Sequence, residues 1–282
     1  MSIKVGPTMM LAVWRSILIT LLLVGCGGAA SPVPDPPVQP ITEPASRPTP
    51  FLAGTPDAPE LATPPPTAVT ATPGPETVTL TPSKDNTLYE DGQGFLSNGS
   101  GQHFFAGKSA AGAVRRAVIA FDIASSVPTG STITQVTLTL NMSRTRNEEQ
   151  IMALHRLLAD WGEGASDTAG NEGSGVSASR GDATWTYRSF DHEPWREPGG
   201  DFWSTASSNV RLSGPDRYSW DSTPAMVADV QMWLDRPANN FGWLLKGNEE
   251  ELRTTKRFDS RENESPENRP MLTITFVPRA NP

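Results

Sequence analysis

The residues best suited to chemistry are tryptophans and charged groups gathered in one loop-rich stretch. Seven of the eight tryptophans, Trp161, Trp185, Trp195, Trp203, Trp220, Trp233 and Trp243, fall after residue 160. The stretch 160–215 is also dense in Gly, Ser and Asp. Sugars pack their C–H faces on flat aromatic rings, and their hydroxyls exchange hydrogen bonds with Asp, Asn, Arg and Glu. Loops on a rigid scaffold are where binding concentrates, so this stretch suits a glycan. Trp195 and Trp203 flank Pro198-Gly199-Gly200-Asp201 and are the candidate sugar platform, with Asp201 beside them. An anionic glycan would also need cations, and the forked guanidinium of Arg matches a carboxylate. Arg180, Arg188 and Arg196 lie close enough in sequence to supply it. The competing reading for the other five tryptophans is packing in the core.

Catalysis has little to draw on. His103, His155 and His192 are scattered, and His155 sits in an apolar run that suits a packed side chain. No Gly-x-Ser-x-Gly elbow, His-Glu-x-x-His pair or phosphate loop occurs. A carboxylate pair such as Asp191/Glu193 would serve a glycosidase only at a defined separation across a cleft. A non-catalytic protein is expected. The formal net charge is −8, and no basic footprint of the kind nucleic acid requires is visible in the sequence. That class of partner is excluded.

The elements that must position these residues read as short strands. Residues 76–81 and 131–140 alternate polar and apolar, as half-buried strands do. Residues 116–123 form a longer apolar run that suits a central strand, and 151–158, 241–246 and 271–277 are further candidates. One helix breaks the series. Thr223 can cap it, Pro224 suits its first position, and Met226, Val227, Val230, Trp233 and Leu234 share a face.

Ahead of the strands the composition differs. Fifteen of the 27 prolines lie between residues 27 and 76, and such a stretch builds no core. It reads as a disordered, semi-rigid spacer with polyproline II character. Before it, Lys4 and Arg15 precede the apolar run 17–24, too short for the roughly 20 residues that span a bilayer and suited to a signal peptide. The single Cys of the chain follows Leu23-Val24-Gly25. This resembles the lipobox of bacterial lipoproteins, which implies cleavage before Cys26 and lipidation there. The organisation expected is therefore a leader over 1–25, a lipidated Cys26 and linker over 26–76, and one β domain over 77–282. The membrane would be met through the lipid alone, outside the cytoplasm. With no second Cys, the domain would rely on its core for stability.

The order of motifs in that domain is distinctive. Asp85-Asn86-Thr87-Leu88-Tyr89 comes first, then the 116–123 run and Val127-Pro128-Thr129-Gly130. Asp160-Trp161-Gly162-Glu163-Gly164 precedes Asp182-Ala183-Thr184-Trp185. Phe258-Asp259-Ser260-Arg261-Glu262 precedes the closing strand. This order resembles the DNRLRE domain family, also classed as carbohydrate-binding module family 96, over roughly 82–278. The resemblance implies a jelly-roll-like antiparallel β-sandwich in exported proteins, some members of which bind polysaccharide, including acidic polymers. Jelly-roll modules often hold a structural calcium ion by loop oxygens, for which Asp85, Asp91, Asp122 and Asp191 are the candidates; no cofactor is otherwise required. Ser260-Arg261-Glu262 reads as an anchor of charge-assisted hydrogen bonds. Two functions fit: a surface-anchored polysaccharide-binding module, or a structural or adhesive envelope protein that contacts other proteins.

Overall fold

The computed structural model of the chain describes residues 73–146 and 149–280, all within the compact unit Pro65–Pro282. The leader, Cys26 and the linker up to residue 72 lie outside the described residues. Strands in chain order are β1 (Glu76–Leu80), β2 (Lys84–Tyr89), β3 (Leu96–Ser97), β4 (His103–Lys108), β5 (Val114–Ala120), β6 (Thr132–Thr145), β7 (Gln150–Arg156), β8 (Val176–Ser177), β9 (Tyr187–Ser189), β10 (Glu193–Pro194), β11 (Ser208–Leu212), β12 (Asp216–Trp220), β13 (Trp243–Lys246), β14 (Lys256–Asp259) and β15 (Met271–Val277). The one α-helix, α1, spans Pro224–Asp235.

These strands form an all-β antiparallel sandwich. One sheet runs β1-β15-β6-β14-β4, with β12 also on β6. The other runs β2-β5-β13-β7-β11. Strand β4 joins them: His103–Ala106 pair with β14, whereas Gly107 and Lys108 pair with Arg115 and Val114 of β5. The crossing needs glycine. Gly107 has φ 117°, and a Cβ there would lie 2.7 Å from the Thr254 carbonyl oxygen.

The inner faces supply the main core. Val136, Leu138, Leu140 and Met142 of β6 meet Ala117, Ile119, Met152, Leu154 and Trp243 of the second sheet, and α1 closes one side with Met226, Val230, Trp233 and Leu234. The Thr223 side chain accepts from the Met226 N–H at 3.1 Å, as its N-cap role requires. The second sheet is apolar on its outer face too. Leu88, Val118, Ala120 and Leu244 pack there against Leu157, Trp161, Ala183 and Trp195 from the 157–206 stretch. That stretch is a third layer laid over the sheet. It explains why residues 117–121 form an unbroken apolar run: a strand covered on both faces cannot alternate.

All six strands expected from periodicity are present. Strand β6 runs five residues past Leu140 because β12 and β14 hydrogen-bond its later half. Strand β2 was hidden because much of its sequence is polar yet buried.

Candidate functional site

The sequence motifs converge at one buried polar network. Asn86 of β2 is its hub, fully buried. Its Oδ1 accepts from the N–H groups of Thr87 (2.7 Å) and Asn98 (3.1 Å), and its Nδ2 donates to Ser97 Oγ (2.9 Å) and the Glu163 carbonyl (2.8 Å). Asp85 accepts from the Arg261 N–H at 2.8 Å and donates its own N–H to Glu163 Oε1 at 2.8 Å. Arg261 forks onto Glu163, with Nε at 2.7 Å and Nη2 at 2.9 Å, and its Nε lies 2.7 Å from Glu262 Oε1. The 163–165 turn is held by Asp182, whose Oδ1 accepts from the Ala165 N–H at 2.9 Å. Gly164 makes that fit possible: φ is 77°, and a Cβ would sit 1.3 Å from Asp182 Oδ1. The network ties the third layer and the chain after β14 to β2, the anchoring role expected of Ser260-Arg261-Glu262.

Its electrostatics are tight. Burial, reinforced by Glu262, holds the Asp85 carboxyl well above the ordinary carboxylate range. Burial also pushes Glu262 up to about 7; Arg261 opposes the shift and Glu163 adds to it. Glu262 Oε2 is buried with no hydrogen-bond partner. Carboxylate oxygens of Asp85, Glu163 and Glu262 lie within 4.8 Å of one another, the one such group among the described residues. The cation already among them is the Arg261 guanidinium.

The expected calcium set does not assemble. Asp85 belongs to this cluster and is 2% exposed. Asp91 instead accepts from the N–H groups of Gln93 and Gly94. Asp122 accepts from the Ser125 N–H at 3.3 Å in the turn after β5, and exposed Asp191 sits between β9 and β10 at φ 65°. Each of these three caps its own turn or faces solvent.

The expected sugar platform is also divided. Trp195 is 4% exposed, and its Nε1 donates to the Thr184 carbonyl at 2.9 Å, so it is core and offers no face to a ligand. Trp161, Trp220, Trp233 and Trp243 are buried as well. Half-buried Trp185 lies under the Arg116 guanidinium, 4.8 Å away. Trp203 stands out at 53% exposed, with the Arg156 guanidinium 5.5 Å from its ring. Asp201 is buried, and its two oxygens accept from the N–H groups of Arg196 and Glu197, both at 3.1 Å, so it shapes the loop. Arg188 is spent on Glu193 (3.1 Å) and the Asp160 carbonyl (3.2 Å). Arg180 is exposed. Arg196 does line a cleft of about 400 Å³, with Pro198, Asp201, Phe202, Leu158 and Ser204.

A second opening was missed by sequence reasoning. A cavity of about 250 Å³ is lined by Arg115, Arg144, Arg146, Arg253 and Arg257, together with Phe105, Asn171 and Gly173. The available signal was partial. Val136, Leu138, Leu140 and Met142 mark the inner face of β6, but the count breaks after Met142: Phe258 pairs with Met142 and Arg257 with Arg144, so Arg144 shares a face with Arg257 and not with Met142. A count of two on β5, from Ile119 through Ala117, does reach Arg115.

No protein-family model matches the chain, and no curated protein matches it.

Proposed function

We propose that residues 77–282 form a non-catalytic polysaccharide-binding module, displayed outside the cytoplasm on a lipid anchor at Cys26 and a Pro-rich stalk. The resemblance to the DNRLRE family supports this reading. The observation that carries it is the Arg196 cleft. Pro198, Phe202 and Leu158, the last 41% exposed, give apolar surface for sugar C–H groups. Exposed Arg196, Glu197 and Ser204 give a hydrogen-bonding rim. An apolar floor with a few convergent polar groups is the usual make-up of a ligand site. No helix among the described residues is long and apolar enough to cross a membrane.

The test is affinity electrophoresis of the full chain through gels containing neutral and charged polysaccharides. Retardation by at least one polymer, reduced about fivefold or more by Arg196→Gln combined with Ser204→Ala, is the expected result. Migration unaffected by every polymer would reject the reading. It would favour an adhesive or structural envelope protein, a role that the burial of five tryptophans also suits.

A further inference from the structure

We propose that the arginine-lined opening is a second binding site, selective for an acidic polysaccharide whose carboxylate or sulfate groups would pair with these arginines. It goes beyond the cleft at Arg196 and stands on different residues. In a chain of net charge −8, five guanidinium groups share one cavity. Like charges this close repel, and carboxylates normally relieve them. Here the ion pairs of arginine are made by Arg116, Arg156, Arg188, Arg211 and Arg261. Among the described residues, none of the five cavity arginines has a carboxylate oxygen within 4 Å.

Arg115 makes the case most sharply. It is 7% exposed, so its charge is largely out of water. Its partners are the carbonyls of Val114 (2.8 Å), Glu90 (3.0 Å) and Gly173 (3.4 Å), and the Tyr89 ring lies 4.8 Å away. Burial pulls the pKa of both Arg115 and Arg257 down, the sign of cations held at a desolvation cost. Arg144 donates from Nη1 to Asn171 Oδ1 (2.8 Å), and Arg257 donates from Nε to Ser143 Oγ (3.1 Å). Each guanidinium has five N–H donors, so both keep donors for a ligand. Arg146 and Arg253 are exposed at the rim, and Phe105 adds an apolar surface for a sugar ring. Two partly or fully buried cations with three exposed ones around a recess suit a chain with repeating, protruding anions. A flat lipid surface or a stacked nucleobase fits this shape less well.

The full chain is titrated with dextran, dextran sulfate and polygalacturonate at low and high salt. Oligothymidylate and phosphatidylglycerol vesicles serve as competing polyanions. Dextran sulfate or polygalacturonate should bind with a steep salt dependence, and dextran should not compete. Arg144→Gln with Arg146→Gln, two exposed changes, should weaken binding about tenfold for each arginine replaced and flatten the salt dependence. Arg253→Gln should act in the same direction. Arg211→Gln makes the same charge change away from the cavity and should leave affinity unchanged. Equal losses from Arg211→Gln, or none from the cavity variants, overturn the proposal. So does binding of oligothymidylate or vesicles as tight as that of the charged glycans. Loss confined to Arg196→Gln would reject this site while sustaining the cleft.

Discussion

Replacing Glu262 with Gln tests the account of the motif network. The Glu262 carboxyl is raised from an ordinary 4.5 to about 7 by burial, which outweighs the pull of Arg261; Glu163 adds a smaller push upward. A carboxyl raised on folding holds its proton longer in the native state than in the unfolded one. Its contribution to stability is complete below the ordinary value and is lost as pH climbs through the folded value. At about 1.36 kcal/mol per pH unit, the whole shift corresponds to roughly 3 kcal/mol. The side chain is 24% exposed, and solvent screening lowers the expected effect to about 1–2 kcal/mol. Gln keeps the shape and an acceptor for Arg261 Nε but does not titrate. Urea unfolding followed by tryptophan fluorescence, at about pH 5 and pH 8, should show the wild type losing about 1–2 kcal/mol more than Glu262→Gln across that window. Asp85, raised in the same direction and partly by Glu262, adds to the wild-type slope. Identical slopes in the two proteins would refute the reasoning. Calcium that stabilised the wild type at high pH, and not the variant, would refute Arg261 as the resident counter-ion.

Two tryptophan substitutions should part company. Trp203→Ala should remove the most acrylamide-quenchable emission and change unfolding free energy by no more than about 0.5 kcal/mol, since a surface residue away from special features costs little. Trp195→Ala should cost about 3–5 kcal/mol by urea denaturation, because it empties the third layer and strips the Thr184 carbonyl of its donor; an unchanged midpoint would mean that this layer is not packed on the sheet.

The fold was largely legible in the chain. Alternation marked β1 and β6, the unbroken run of β5 announced a central strand, and β15 was a further candidate. Thr223-Pro224 marked the start of α1. The candidate site was legible only in part. Arg196 was placed in a cleft, but Trp195, Asp201 and Arg188 went to packing and to shaping loops. A Trp-rich, Gly-rich loop has the same composition whether its rings face water or the outer side of a sheet. Composition does not record direction.

What the sequence determined by itself is what local physics can carry: strand periodicity and the helix cap. What the tertiary structure alone decided is which distant groups meet. Asp85, Glu163 and Arg261 are joined across 176 positions of chain. Five arginines from β5, β6, β14, the loop after β6 and the loop before β14 line one cavity. Their convergence depends on sheet pairing and on the irregular register between β6 and β14, and no short stretch of sequence contains either.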